Sequence, residues 1–176
     1  MTKASNYKVN RSYLNYIHAS SFLPAEEAEN ARPSLENLIH YQHMAYGEQI
    51  VDFNLIFPDS DMLFGGMLGD FVKVDEERSG TFRKPYHNLI HFEEFDELSE
   101  WRVAVALEDT VFTVYSHKSG AKTALDGYEF DYHNLNDWVV ETMITVRQGD
   151  AVFYRPWVFH SFENKLIICY TLIGEQ

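Results

Sequence analysis

The sequence has almost no cysteine, since Cys169 is the only one among its 176 residues. A single cysteine cannot form an intramolecular disulfide, so a small fold held together by disulfides is excluded. Cys169 lies within an apolar stretch, which favours a small buried hydrophobic residue over a reactive thiol. The chain also has no G-x-S-x-G sequence, so nothing in it points to a nucleophilic serine of that type.

Basic residues are scarce as well. The chain has 14 Lys and Arg against 27 Asp and Glu, which gives a formal net charge of −13 at pH 7. Binding to nucleic acids and to anionic membranes depends on contacts between Lys or Arg and phosphate groups. We therefore expect neither a nucleic acid nor a membrane as a partner.

Long apolar runs are missing. No stretch approaches the roughly 20 apolar residues that span a bilayer. The first residues, MTKASNYKVNRSY, contain no apolar segment of the kind found in a signal peptide. Because no repeat or linker divides the chain, we predict one domain over residues 1–176, located in the cytoplasm. It would consist of an N-terminal arm with helices in residues 1–47 and a β-rich core in residues 48–176.

Aromatic residues, by contrast, are abundant, with 11 Tyr, 13 Phe and 3 Trp. Such residues favour β-strands, and many short strands between turn residues indicate a sandwich or barrel of the jelly-roll type. We expect two of these strands to pair with each other across the turn at Glu108-Asp109. That pair is Trp101–Leu107 and Val111–His117. Further predicted strands are Glu48–Phe57, Phe71–Val74, Tyr128–His133, Val139–Val146, Ala151–Tyr154 and Leu166–Ile173.

The N-terminal part predicts helices that pack on the sheet. Residues 1–20 fit either an extended arm or a first edge strand. A helix is predicted next, with a serine cap and Pro24 in its first turn. Ser34 caps a second predicted helix, and Gly47 ends it.

The second predicted helix carries His40 and His43 on a face that Glu36 can share. Two imidazoles and a carboxylate can bind a metal ion. The same spacing also occurs on an ordinary solvated or interfacial helix edge, so the motif alone does not decide between the two.

The most informative stretch is Arg147–Ile173, RQGDAVFYRPWVFHSFENKLIICYTLI. A turn at Gln148–Asp150 precedes the predicted strand Ala151–Tyr154, which Pro156 ends because proline lacks the N–H that a strand ladder needs. His160 follows among aromatic residues, where an imidazole could bind a metal behind an apolar wall. The alternative is a histidine of the core that is held by ordinary hydrogen bonds.

Within this stretch, G-D-x-x-x-Y-x-P-x-x-x-H-x-x-x-N runs from Gly149 to Asn164. It resembles the last part of a double-stranded β-helix, the jelly-roll fold shared by the cupins and the 2-oxoglutarate/Fe(II)-dependent dioxygenases. The resemblance is closer to the dioxygenases. It implies a mainly β fold with N-terminal helices on the sheet, and it implies that His160 is the last metal ligand.

A second phrase supplies the other ligands of this resemblance. Mononuclear Fe(II) oxygenases use two histidines and one carboxylate, and an extended chain places residues i and i+2 on one side. The sequence His91-Phe92-Glu93 has this spacing and resembles the H-x-D/E phrase of the dioxygenases. The resemblance implies that His91, Glu93 and His160 bind Fe(II), with Glu where most of the family has Asp.

The same resemblance implies 2-oxoglutarate as co-substrate and hydroxylation of a C–H bond in a small-molecule or peptide substrate. The family binds the distal carboxylate of 2-oxoglutarate with an Arg or Lys on its last strand, near the position of Tyr170 here. The candidates in this chain are Lys165 and, after it, Arg155. Three aromatic residues either line the substrate site or belong to the core: Tyr154, Trp157 and Phe159.

Two other interpretations stay open. A jelly roll can be a metal-free or structural binding protein, because one fold supports many functions. A cupin-type metal enzyme is the other, since His160 and Asn164 match the end of the second cupin motif. It would need further ligands from His117, His133 or Glu141. The aromatic content is also compatible with a homodimer that buries an aromatic face.

Overall fold

The structure is a computed structural model that describes residues 15–30, 48–50, 72–74, 81–83, 89–163, 165 and 167–174. Most of the described chain is antiparallel β structure. One short helix, α1, spans Ala25–Asn30, and a single 3-10 turn spans Leu135–Asp137. The strands are β1 Tyr16–Ala19, β2 Glu48–Ile50, β3 Val72–Val74, β4 Thr81–Arg83, β5 Trp101–Ala106, β6 Thr110–His117, β7 Trp138–Val146, β8 Ala151–Tyr154, β9 His160–Phe162 and β10 Ile167–Gly174.

The strands form two sheets. The larger sheet has the order β1-β8-β5-β10-β4-β2, and β3 also pairs with β10. The smaller sheet has the order β7-β6-β9. All pairs between named strands are antiparallel. This is the mainly β architecture that the sequence predicted.

One predicted pairing is wrong, because β5 and β6 do not form a hairpin. β5 pairs with β8 and β10, whereas β6 pairs with β7 and β9 in the other sheet. The connection at Glu108-Asp109 therefore carries the chain from one sheet to the other, and Asp109 Oδ1 anchors it by accepting a hydrogen bond from Gln148 N at 2.8 Å. Apolar patterning shows that a strand is buried but does not identify its neighbour.

The predicted strand Tyr128–His133 is also wrong, since this segment is a series of turns. Local hydrogen bonds replace a strand ladder: the Tyr132 hydroxyl donates to Tyr128 O at 2.5 Å, and Asp131 Oδ1 accepts from His133 N at 3.0 Å. Short polar side chains compete with regular structure in this way. The alternating aromatic residues of this segment pack as parts of a loop.

Among the described residues, buried side chains form two clusters. The inter-sheet core is aliphatic with three large rings, and the aromatic cluster lies around the turn region that follows β6. The inter-sheet core contains Ala104, Ala106, Phe112, Val114, Val146, Val152, Tyr154, Val158, Phe162 and Ile167. The aromatic cluster contains Ile90, Ala121, Ala124, Trp138, Trp157 and Phe159, with Phe92, Phe95, Tyr115, Phe130 and Tyr132 packed against it.

The N-terminal segment packs on the turn between β7 and β8. β1 pairs with β8, so residues 16–19 form an edge strand of the described sheet rather than a free arm. Gly149 in that turn has φ +92°, and a Cβ there would lie 2.4 Å from Leu23 O. Leu23 N donates to Gly149 O at 2.8 Å, and Ala28 of α1 is fully buried. The turn predicted at Gln148–Asp150 is thus confirmed.

Several predictions lie outside the described residues. They include the second helix with Glu36, His40 and His43, and most of the strand predicted at Glu48–Phe57. No helix in the described part of the chain is both long and apolar enough to cross a membrane.

Candidate metal centre

His160 forms the buried floor of the site. It opens β9, where alternation turns its ring away from the aromatic cluster that contains its neighbour Phe159. The imidazole packs against rings of the inter-sheet core, with centroid distances of 4.5 Å to Tyr154 and 5.5 Å to Phe112. The residue is 0% exposed, so an ionisable group stands among apolar neighbours.

The segment that carries His91 and Glu93 runs beside β9 like an additional short strand. His91 N donates to His160 O at 3.0 Å, and His160 N donates to His91 O at 2.9 Å. Glu93 N donates to Pro156 O at 2.8 Å. These bonds hold the segment extended, so the side chains of His91 and Glu93 project to the same side while Phe92 projects to the other.

The structure brings the three predicted residues together. One potential ligand atom from each of His91, Glu93 and His160 lies within 4.8 Å of the others. Metal–ligand bonds of about 2.0–2.2 Å place two ligands of one ion at most about 4.4 Å apart. A small adjustment of the side chains therefore suffices for one ion to contact all three.

The hydrogen bonds of the two histidines decide which nitrogen faces the centre. His91 Nδ1 lies 2.8 Å from Leu89 O, and His160 Nδ1 lies 2.7 Å from Val158 O. A carbonyl oxygen only accepts, so in each ring Nδ1 carries the hydrogen and Nε2 carries the lone pair. Both Nε2 atoms are buried. This arrangement, with Nδ1–H on a backbone carbonyl, is the usual one for metal-binding histidines.

Side chains of the larger sheet hold Glu93. Its Oε1 accepts a hydrogen bond from the Tyr154 hydroxyl at 3.0 Å, and Arg102 Nε lies 3.4 Å from its Oε2. Arg102 also donates to Glu100 Oε2 at 2.8 Å, and Glu100 is 2% exposed.

The donor types at the centre suit a cation. Arg102 contacts the carboxylates of both Glu93 and Glu100, and the Arg155 guanidinium donates to Glu100 O. Charges in protein interiors are paired or coordinate metals. The donor set of two imidazoles and one carboxylate suits a divalent cation.

The two predicted partners of the 2-oxoglutarate carboxylate lie in different surroundings. Lys165 is exposed on the connection between β9 and β10. The Arg155 guanidinium lies over the Trp101 ring at 3.9 Å and donates to Glu100 O at 3.0 Å. A role of Lys165 or Arg155 in binding 2-oxoglutarate stays a prediction. The side chain of Tyr170 lies outside the described residues.

The three aromatic residues considered for the substrate site are buried. Tyr154 and Phe159 are 0% exposed and Trp157 is 6% exposed. Tyr154 belongs to the inter-sheet core, and the other two belong to the aromatic cluster. Their packing agrees with the interpretation that they belong to the core. A contribution to a substrate site stays a prediction.

The ligands of the cupin-type alternative do not gather around His160. His117 stacks on Phe130 with a centroid distance of 3.9 Å, and its Nδ1 lies 2.8 Å from Ser119 Oγ. His133 and Glu141 are exposed. Among the described residues, the group of His, Cys, Asp and Glu close enough to share one ion contains neither of these histidines.

Sequence reasoning missed Arg102 and Glu100. The available signal was a charged residue inside the strongly apolar stretch WRVAVAL, which begins at Trp101. A charged side chain in a buried strand needs a partner, so Arg102 should have prompted a search for nearby carboxylates.

No protein-family model and no curated protein matches this chain. Several solved structures do. The alpha ketoglutarate dependent carbocyclase SnoK from nogalamycin biosynthesis is 16% identical, with a TM-score of 0.58 over 98% of this chain and 83% of that one. The epimerase SnoN from the same biosynthesis is 13% identical, with a TM-score of 0.55 over 98% and 83%. HygX from Streptomyces hygroscopicus, solved with nickel and 2-oxoglutarate bound, is 11% identical, with a TM-score of 0.53 over 92% and 83%.

These similarities establish the fold. The chain is a double-stranded β-helix, the jelly roll of non-heme alpha ketoglutarate dependent enzymes, which confirms the fold that the sequence predicted. Helices are few among the described residues.

Proposed function

We propose that this protein is a non-heme Fe(II), 2-oxoglutarate-dependent oxygenase. The observation that carries the proposal is the convergence of His91, Glu93 and His160, whose potential ligand atoms lie within 4.8 Å of one another. The solved structures of the same fold support it, because those proteins are described as alpha ketoglutarate dependent or were solved with a metal.

The donor set fits iron. Two imidazoles and one carboxylate on one side of an ion leave positions for a co-substrate, which is the pattern of non-heme Fe(II) oxygenases. When bound, Fe(II) with 2-oxoglutarate would supply the oxidation of a substrate C–H bond by O2. Zn²⁺, Ni²⁺ and Co²⁺ accept similar ligands, so these ions serve as probes of the site.

The protein's own contribution is orientation and exclusion of water. The carbonyls of Leu89 and Val158 fix the two imidazole rings with Nε2 facing the centre. His160 is fully buried under aromatic rings, whereas His91 and Glu93 are half-buried. We therefore infer that a co-substrate and a substrate approach from the side of His91 and Glu93, opposite the buried floor.

For the 2-oxoglutarate carboxylate, Lys165 is the better of the two candidates. The Arg155 guanidinium donates to a backbone carbonyl and lies on the Trp101 ring, so it already has a structural role. Lys165 is exposed. A lysine would act as a point charge and not as the two-pronged partner that arginine provides.

We propose a small molecule or a peptide as the substrate. The net charge of −13 disfavours nucleic acids and anionic lipid surfaces. A homodimer is compatible with the aromatic content and stays a proposal that solution measurements of mass can decide.

The first experiment is anaerobic Fe(II) binding by the wild type and by His160→Ala, with and without 2-oxoglutarate. His133→Ala is the matched control, because His133 is exposed. We expect one Fe(II) per chain, loss of binding in His160→Ala alone, and a visible charge-transfer band when 2-oxoglutarate is added.

The other outcomes separate the alternatives. Binding of Fe(II) without any effect of 2-oxoglutarate would contradict the co-substrate and leave a metal enzyme of another type. If the wild type binds no metal, the oxygenase proposal fails and a metal-free binding protein takes its place.

A further inference from the structure

A network of hydrogen bonds and charges holds Glu93. Arg102 of β5 and Tyr154 of β8 are direct partners in the antiparallel ladder. Side chains of directly opposed residues project from the same face of a sheet. The register therefore places a guanidinium and a phenol side by side, and both reach Glu93.

The two side chains contact different oxygens of the carboxylate. The Tyr154 hydroxyl donates to Oε1 at 3.0 Å, and Arg102 Nε lies 3.4 Å from Oε2. Tyr154 is 0% exposed, and a buried phenol requires a hydrogen-bond partner. The ring of Tyr154 also lies 4.5 Å from the ring of His160, so this residue touches two of the three proposed ligands.

Arg102 additionally fixes the backbone beside the ligand. Its Nη2 donates to Glu94 O at 2.7 Å, and its Nη1 donates to Glu100 Oε2 at 2.8 Å. Glu100 Oε1 in turn accepts from Asp96 N at 2.9 Å. The loop that follows Glu93 is thus tied to β5 by one guanidinium, whose fixed fork a lysine cannot reproduce.

We propose that Tyr154 and Arg102 are positioning residues that make Glu93 a one-oxygen metal ligand. With Oε1 held by the Tyr154 hydroxyl, Oε2 beside Arg102 Nε would be the oxygen offered to an ion. Arg102 holds the carboxylate and the loop that follows it in place. This inference rests on the proposed metal site, and it gives Tyr154 a role other than that of a substrate wall.

The network also explains how glutamate can occupy this position. A glutamate has one more rotatable bond than an aspartate, so it loses more conformational freedom when it binds an ion. Contacts to both oxygens before the ion arrives reduce that loss. Partners behind a metal ligand typically change metal affinity by about 10–100-fold when they are removed.

The test is Co(II) binding by the purified full chain, read by affinity and by the visible d–d spectrum. The variants are Tyr154→Phe and Arg102→Lys. Tyr115→Phe is the matched control, because it also removes a hydroxyl with a hydrogen bond, here to Ser161 Oγ at 2.8 Å. Thermal unfolding without metal shows whether each variant is folded.

We expect Tyr154→Phe and Arg102→Lys to lower Co(II) affinity at least about tenfold. In Tyr154→Phe the d–d spectrum should also change, because the second oxygen of Glu93 becomes available to the ion. Tyr115→Phe should leave the affinity and the spectrum as in the wild type.

Two results would overturn the inference, and they differ. If the wild type binds Co(II) and Tyr154→Phe binds it within twofold with the same spectrum, the positioning role is wrong and the metal site stands. If the wild type binds no Co(II), both this inference and the proposed function fail. A variant that melts like the wild type yet binds weakly supports positioning, since a purely structural role would lower the melting temperature.

Discussion

Two groups of histidine and carboxylate in the described part of the chain use the imidazole in opposite ways. At the edge of the larger sheet, His18 Nε2 lies 3.0 Å from Asp150 Oδ2. In the metal centre, His91 and His160 give Nδ1 to backbone carbonyls and direct Nε2 toward each other and Glu93. We call the first group the edge clasp. In the clasp Nε2 contacts a carboxylate of the protein, whereas in the candidate centre both Nε2 atoms are buried within a group that could hold a metal ion.

The carboxylates differ in the same sense. Asp150 accepts hydrogen bonds from Ser21 N at 2.8 Å and from Arg147 N at 3.0 Å, in addition to its contact with His18. These partners lie on β1, on the segment after it and on the turn before β8, so the clasp joins the N-terminal segment to the sheet. Glu93 is held by side chains, which can readjust around an ion. A similar set of residues therefore ties two segments together in one place and, in the function we propose, binds a metal ion in the other.

The substitution Glu93→Gln should distinguish the two groups most clearly, because it changes metal affinity much more than stability. The amide keeps the size and the acceptor for Tyr154, but it removes the negative charge that an ion requires. We expect metal affinity to fall by more than about 100-fold, which is about 2.7 kcal/mol of binding free energy. The free energy of unfolding without metal should change by less than about 1 kcal/mol, because Arg102 retains Glu100.

Isothermal titration with Ni(II) and urea unfolding of the metal-free protein measure these two quantities. Glu163→Gln is the control, since it removes an exposed carboxylate near β9. Wild-type affinity in Glu93→Gln would remove Glu93 from the set of ligands.

Gly149→Ala is expected to damage the clasp alone. Gly149 precedes Asp150, has φ +92°, and leaves no room for a Cβ because Leu23 O would lie 2.4 Å from it. We expect a loss of about 2–3 kcal/mol in the free energy of unfolding, measured by urea unfolding.

Gly120→Ala is the matched control for this change. Gly120 also has a positive φ, +102°, but nothing lies within 4 Å of its Cβ position. It therefore reports the cost of backbone strain without the contact. Equal losses in the two variants would show that the packing of Leu23 on the turn contributes nothing.

Asp150→Asn tests the clasp with a smaller expected loss of stability. The amide keeps one acceptor oxygen but places an NH2 group against N–H donors, so a partly buried hydrogen bond is lost. We expect a loss of about 1–2 kcal/mol at pH 7 and unchanged Ni(II) affinity. A fall in affinity together with stability would mean that the two groups are coupled, contrary to the comparison.

The sequence was sufficient for the fold class because short apolar strands alternate with clear turn residues. It was insufficient to identify the neighbours of β5 and β6, since most residues of both strands are buried and their patterns suit either sheet. Tyr128–His133 imitated a strand because its aromatic residues alternate, yet they pack as part of a loop. Apolar patterns in the sequence show which strands are buried, whereas long-range pairing decides which strands are neighbours in a sheet.

For the site, the sequence predicted the residues that a local rule connects. His91 and Glu93 share one side because they are two apart in an extended segment, and His160 stood out as an imidazole among aromatic residues. Arg102 and Tyr154 meet Glu93 only because the register of β5 and β8 opposes them. No spacing within the sequence encodes that contact, so the support of Glu93 became visible only in three dimensions.

The smallest expected effect is a dependence of the unfolding free energy on pH, which comes from the Asp150 carboxyl of the clasp. Burial raises the pKa of Asp150, but hydrogen bonds from Ser21 N, Arg147 N and His18 outweigh it and hold the pKa below its ordinary value. A carboxyl whose folded pKa is lowered stabilises the fold at pH values above the unfolded pKa, about 3.9. That contribution is lost as the pH falls from there through the folded pKa. The difference in unfolding free energy between the wild type and Asp150→Asn should therefore shrink by less than about 1.4 kcal/mol per pH unit below pH 4. Urea unfolding at pH 7, 5 and 3 measures it, with Glu163→Gln as the control for general loss of negative charge. A difference that is the same at pH 3 and pH 7 would show that the clasp owes its stability to packing and not to the ionised carboxylate.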